Sequence, residues 1–237
     1  MNYFITFGDK KFQNSIDRIE KQANDIGVFD NIIIYTDDWL KEQKEFWDVH
    51  KDFVENNPRG YGYWLWKAYI TKKTLSFMND NDILCYADAG CTINKHGVKR
   101  IMEYFDILNQ SNYGTLSFEL EHIEYRWTKK DLAIALGASD SILYSPSLIA
   151  TSFLLRKCEN SIKVVDEWYN YGCNYHLIDD TPSIEPNSEG FIENRHDQAI
   201  FSILRKLHGT VVLQNEVDIS YYSPQMHLPI WGTRIRN

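Results

Sequence analysis

The stretch Tyr86-Ala87-Asp88-Ala89-Gly90-Cys91 closes an apolar run, Asp82-Ile83-Leu84-Cys85-Tyr86, and sets one carboxylate at its end. Ligands of α/β sheets bind beyond the carboxyl ends of the strands, and a carboxylate there suits a hard divalent cation holding a diphosphate. The same residues also make an ordinary turn, since Asp accepts turn hydrogen bonds and Gly supplies positive φ. A second segment, Arg59-Gly60-Tyr61-Gly62-Tyr63-Trp64-Leu65-Trp66-Lys67, gathers a guanidinium, two glycines and a lysine at a helix start. Such a loop brings basic side chains and free N–H groups to phosphate. It matches neither the dinucleotide nor the P-loop pattern, and a glycine-rich aromatic turn accounts for it equally well. In the third segment, Glu193 to Gln198, polar groups crowd ahead of an apolar helix. Asp197 falls in its first turn, where the dipole favours a carboxylate and where a general base can stand. Glu193 is the reserve candidate.

These groups need a scaffold, and the apolar pattern describes one. Asn2 to Phe7 reads as a buried strand, Phe12 to Ile26 as an amphipathic helix and Asn31 to Thr36 as a second buried strand, together a parallel βαβ unit. Leu40 to Glu55 reads as a charged helix. Tyr63 to Met78 reads as a helix with Trp64, Ala68, Thr71, Leu75 and Met78 on one stripe. Asp82 to Asp88 is the strand carrying the carboxylate. Helix 98–108, strand 115–118, an apolar strand 148–155, helices 162–171 and 196–207 and strand 210–213 follow. Glu119 to Lys130 reads as a loop or lid, Thr181 to Gly190 as a mobile loop, and the tail after Ser223 as irregular. The expected fold is α/β, a mixed, mainly parallel central sheet flanked by helices. No internal repeat or long linker divides the 237 residues, so a single domain, 1–237, is expected.

Composition narrows the partners. The net charge of −8 disfavours nucleic acid, and it means that a diphosphate needs local positive charge. Aromatics reach 14%, with 7 Trp and 15 Tyr, enough to face sugar rings as well as to fill a core. The four cysteines form no CxxC pair, which reads as a reduced, cytoplasmic protein. No stretch has the apolar length of a membrane span, and the start lacks the pattern of a secretory signal.

Arg-Gly-Tyr-Gly-Tyr-Trp-Leu-Trp-Lys at 59–67, Tyr-Ala-Asp-Ala-Gly-Cys at 86–91, Arg126-Trp127-Thr128-Lys129-Lys130-Asp131 and the run Glu193 to Ser202 together resemble a group of bacterial and viral GT-A glycosyltransferases. The segments keep their order and span most of the chain. The resemblance implies a GT-A-like (Rossmann-like) fold, with a nucleotide-binding part at about 1–118 and an acceptor part at about 119–237. It implies transfer of a hexose or deoxyhexose from a nucleoside-diphosphate sugar, a UDP-sugar first, to an oligosaccharide or lipid-linked glycan in surface polysaccharide synthesis. Asp88 would bind Mn²⁺ or Mg²⁺, with His227 approaching the metal. Tyr86 stands where the family's first aspartate would be, so the metal would be held weakly and completed by phosphate and water. Thr6, Phe7 and Gly8 would lie near the nucleobase. Arg59 and Lys67, with Tyr86 and Ala87, would hold the donor. His196 and Gln198 would bind sugar beside Asp197, the catalytic carboxylate. Trp127, with His122 and Glu124, would line the acceptor site, and Arg234 and Arg236 would touch diphosphate or lipid headgroups. The protein would be cytoplasmic or peripheral at the inner face of a membrane. Two other readings compete: a non-catalytic carbohydrate-binding module with a decayed site, and a sugar-phosphate nucleotidyltransferase. The single glycine of Gly8-Asp9-Lys10-Lys11 argues against the latter.

Overall fold

The computed structural model describes residues 1–218 and 226–236. Its strands are β1 (Asn2–Gly8), β2 (Asn31–Thr36), β3 (Ile83–Ala87), β4 (Thr92–Ile93), β5 (Thr115–Ile123), β6 (Pro146–Leu148), β7 (Ser152–Arg156), β8 (Val211–Leu213) and β9 (Ile230–Trp231). The main sheet runs β2-β1-β3-β7-β5-β6, with β8 on β5. The mixed sheet matches the expectation. Parallel pairing, however, joins β1 to β2 and β3 and β5 to β8, while β7 pairs antiparallel with β3 and β5, and β6 with β5.

Alternation along the strands splits the core into two layers. Tyr3, Ile5, Phe7, Leu84, Tyr86, Phe153 and Leu155 face one layer. There the helices Leu65–Phe77, Glu159–Gly172 and Asp197–His208 pack on the sheet. Phe4, Ile83, Cys85, Ala87 and Leu154 face the other, against helices Gln13–Ile26 and Val98–Gln110. The Leu65–Phe77 helix differs from the expected stripe. Leu65 through Thr71 are all buried, Lys67 included, so the helix is enclosed rather than amphipathic.

Several boundaries moved for identifiable reasons. The charged helix is two, Asp37–Glu42 and Lys44–Asn56, broken at Gln43 with φ −82° and ψ 89°. The strand expected over 148–155 is interrupted at 149–151. There side chains of the Asp197–His208 helix take over the backbone groups that a ladder would satisfy. Ser202 Oγ accepts from Leu148 N, Gln198 Oε1 accepts from Ala150 N, and the Arg205 guanidinium donates to Leu148 O and Ile149 O. The expected lid is partly strand, because β5 runs on to Ile123. The loop 181–190 is anchored, with the Asp131 carboxylate accepting from Ile184 N and Glu185 N.

The tail expected to be irregular lies in part outside the described residues, and its described portion is ordered by pairing. β9 pairs antiparallel with β4, Asn94 Nδ2 donates to Met226 O and Leu228 O, and Ile235 N donates to Gly90 O at 2.9 Å. A Cβ on Gly97 would meet Pro229 Cα at 2.3 Å, so only glycine permits this approach. Gly97→Ala is therefore expected to lower stability by roughly 1–3 kcal/mol through overpacking against backbone. Urea denaturation, with proteolysis of the Met226–Arg236 strap as a second readout, checks it.

Candidate active site

β1 and β3 are parallel and end side by side at Gly8 and Ala87, so the chain turns away from the sheet at one place. A cleft of about 610 Å³ opens there, where α/β sheets ordinarily bind ligands. Its walls come from β1's end, the loop 58–61, the Asp88–Cys91 turn, Ala150-Thr151, the start of the Asp197–His208 helix and the C-terminal strap. Among the described residues six basic side chains (Lys11, Arg59, Lys67, Arg195, Arg234 and Arg236) line it against three acidic ones (Asp9, Asp88 and Asp197). The cleft is thus locally basic within an acidic protein.

At its floor one buried ammonium holds two carboxylates. Lys67 Nζ lies 3.1 Å from Asp88 Oδ1 and 3.3 Å from Asp197 Oδ2, and donates to Ala150 O at 3.3 Å. Burial works to lower the Lys67 pKa, but Asp197 and Asp88 together outweigh it and raise it. Burial pushes the Asp197 carboxyl up to about 6, with Lys67 opposing and Asp88 adding to the rise. Asp197 Oδ2 is buried and makes no aligned hydrogen bond. The carboxyl is therefore a base with a spare lone pair, half-titrated near pH 6. The sequence expectation, a carboxylate kept ionised by the helix dipole, omitted this burial. Trp168 Nε1 donates to Asp197 O at 3.0 Å and fixes the turn.

Backbone strain frames the same floor. Gly60, Tyr61, Gly62, Tyr63 and Trp64 all have positive φ, between 51° and 82°, so a left-handed turn precedes the Leu65–Phe77 helix. This is why the helix starts later than its apolar pattern does. His196 has φ 54° and ψ −125°, an unusual conformation for a non-glycine residue. Its ring stacks on Trp64 and pairs Nδ1 with Ile178 O at 3.0 Å. Burial lowers its pKa to about 4.

The cleft gathers Phe7, Gly8, Arg59, Lys67, Asp88, His196, Asp197 and Gln198 from the sequence-derived set. Arg59 is half-exposed and already paired, with Asp180 at 3.0 Å and Glu193 at 3.3 Å. Gly8 also has a packing reason, since a Cβ there would sit 2.7 Å from Ile16. The others lie elsewhere. Thr6 and Ala87 are fully buried inside their strands. Tyr86 is buried as well, and only its hydroxyl reaches forward, donating to Asp88 Oδ1. His227 is exposed and is not among the residues lining the cleft with Asp88. Trp127 is half-buried outside the lining, with the Arg195 guanidinium 4.3 Å over its ring. Glu124, expected beside it, is fully buried and accepts from Ser202, Lys206, Thr128 and Ser147. It cannot line an acceptor surface. Sequence reasoning missed Ala150 and Thr151, whose carbonyls accept from Lys67 and from the Asp88 amide. Only their place at a strand break gives them this role, and no side-chain chemistry announces it.

The donor set around Asp88 suits a protein-held divalent cation poorly. A hard cation needs several oxygen ligands. Here Tyr86 replaces a second carboxylate, and one oxygen of Asp88 is engaged by a hydroxyl and an ammonium. Among the described residues no group of three or more His, Cys, Asp or Glu is placed to hold a metal. A second cation 4 Å from that ammonium would be repelled by about 4 kcal/mol per unit charge at a surface-like dielectric.

No protein-family profile matches the chain, and no curated protein matches it by sequence. Solved structures do match its fold. Mouse xyloside xylosyltransferase 1 aligns over 98% of this chain and 97% of its own, with a TM-score of 0.51 and 10% identity. A glycosyltransferase involved in glycosylation of the PBCV-1 major capsid aligns over 91% and 83%, with a TM-score of 0.48 and 7% identity. For the glycosyltransferase GlyE of Streptococcus pneumoniae the values are 90% and 45%, with a TM-score of 0.46 and 12% identity, so the chain spans under half of that protein.

Proposed function

From a fold shared with GT-A glycosyltransferase structures, we propose that this chain is a glycosyltransferase. In this reading it moves a hexose or deoxyhexose from a nucleoside-diphosphate sugar, UDP-sugars first, to a hydroxyl of an oligosaccharide or lipid-linked glycan. The observation that carries the reading is the pairing of a basic cleft with the buried Asp197 carboxylate at its floor, held by Lys67 and raised in pKa by burial. The acceptor oxygen attacks the sugar's anomeric carbon as its bond to the diphosphate breaks. The electron pair leaves on the diphosphate, and the cleft's cations stabilise that charge. The Asp197 carboxylate takes the hydroxyl proton in an inverting reaction. Segments 1–118 and 119–237 contribute jointly: Arg59, Lys67 and Asp88 from the first, Ala150, Asp197 and Arg234 from the second.

Trp127, with its face under Arg195, is assigned to the acceptor approach. The proposed setting is surface polysaccharide synthesis at the cytoplasmic side of a membrane. No helix among the described residues is long and apolar enough to cross one.

Thermal shift with UDP, GDP and dTDP tests the reading. A nucleotide at a hundred times its dissociation constant should stabilise the protein by about 2.7 kcal/mol. Trp64 and Trp66 line the cleft, so the same titration should change tryptophan fluorescence. The absence of any response to all three nucleotides would remove the donor-binding reading.

A further inference from the structure

We propose that this cleft binds its diphosphate ligand without a divalent cation, the buried Lys67 ammonium occupying the cation position between Asp88 and Asp197 and strap residues Arg234 and Arg236 meeting the phosphates. The inference rests on the nucleotide-sugar reading and departs from the metal dependence that the resemblance implied.

Three independent observations carry it. The first is the state of Asp88. In a metal site the carboxylate oxygens are free to face the cation. Here Asp88 already has a positive partner at 3.1 Å, and the same ammonium reaches Asp197. One of the two negative charges that would attract a divalent ion is therefore offset within the fold, and the cation would have to approach a fixed ammonium to reach Asp88.

The second is the strap. Ile235 N donates to Gly90 O at 2.9 Å, Thr233 Oγ1 donates to the same carbonyl at 3.0 Å, and Ser15 Oγ donates to Ile235 O at 3.0 Å. Arg234 Cα lies only 3.3 Å from where a Gly90 Cβ would stand, and its φ is 53°. Backbone contacts thus lock the strap onto the very turn that follows Asp88. The Arg234 and Arg236 side chains are thereby held in the lining of the same cleft as Asp88.

The third is availability. The Arg234 side chain is 74% exposed, and its ion pair among the described residues, with Asp218, is long at 3.7 Å. Arg236 is exposed and lines the cleft with it. Exposed pairs of this kind are weak, so a phosphate displaces them readily. Arginine suits the task because its planar fork meets two phosphate oxygens at once.

The test is calorimetric titration of the whole chain with UDP, GDP and inorganic pyrophosphate, each in EDTA and in millimolar MnCl₂. Binding is expected in EDTA, with a dissociation constant within about threefold of the Mn²⁺ value. The double variant Arg234→Gln/Arg236→Gln should weaken metal-free binding roughly tenfold or more, the loss of charge-assisted hydrogen bonds. Its melting curve should not move, because both side chains are exposed. Binding that appears only with Mn²⁺ overturns the proposal, as does unchanged affinity in the double variant. Failure of all three ligands in both buffers overturns the nucleotide-sugar reading and this inference with it. Metal-free binding of pyrophosphate alone keeps the cationic site and removes the nucleotide donor.

Discussion

Asp197→Asn is expected to lower glycosyl transfer by about 10²–10⁴-fold, the usual loss when a general base is removed. Nucleotide affinity should change little, because the carboxylate faces the reacting carbon in this reading and the phosphates meet the arginines. The pH profile provides the sharper test. Burial raises the Asp197 pKa to about 6, so wild-type turnover should climb as pH rises through 6 and then level off. The variant's residual rate should lack that limb. Stability moves the opposite way. A carboxyl whose folded pKa lies above its unfolded value binds more protons when folded, so its contribution is greatest below about pH 4 and is lost as pH rises through 6. Asp197→Asn should flatten this dependence between the two values. Single-turnover rates across pH 5–8 and urea midpoints at the same pH values measure both effects. Turnover within a few-fold of wild type would leave Asp197 as a helix-start residue only.

Lys67→Met is expected to be the most destabilising single change at the site. Its ammonium is 3% exposed and serves two carboxylates and one carbonyl. Methionine fills similar volume, so the loss is electrostatic. Removing one partner of a buried ion pair typically costs 3–5 kcal/mol, because the remaining charge has no compensation. The second substitution Asp197→Asn in the same chain should recover part of that loss, since it removes one of the stranded charges. A double-mutant cycle from urea denaturation reads the coupling directly. Additive losses would mean that Lys67 stabilises through packing alone.

Much of the scaffold was legible because apolar strands and helical spacing are local signals. β1, β2, β3 and the helices Gln13–Ile26 and Val98–Gln110 fall where their patterns place them. The floor of the cleft was legible in kind, since Asp88, Lys67 and Asp197 stand out chemically. The contact between them was not legible, because it depends on how far apart three segments end up after folding. Lys67 illustrates the gap. A lysine one turn into a helix normally reads as solvent-facing, and here the helix is enclosed on nearly every side. Glu124 misled in the opposite sense. Its polar neighbours suggested a lid, but four donors hold it in the interior. The break at 149–151 could not be read from Leu148 to Leu155, whose residues are uniformly apolar or small. Its cause lies in Gln198, Ser202 and Arg205, 48 to 57 residues further along the chain.

The left-handed turn at Gly60–Trp64 bears on the order in which the molecule assembles. Tyr61, Tyr63 and Trp64 carry side chains in a backbone hand that costs L-residues roughly 1–2 kcal/mol each. No isolated peptide of this sequence would hold that shape. It persists because Trp64 stacks on His196 and Tyr63 is buried, contacts that exist only once the helix Asp197–His208 has docked. The turn must therefore form late, after the sheet and its two helical layers are in place. A change that loosens the docking of that helix is therefore expected to release the turn, and with it the alignment of Arg59 and the head of the Lys67 helix, before it touches the sheet.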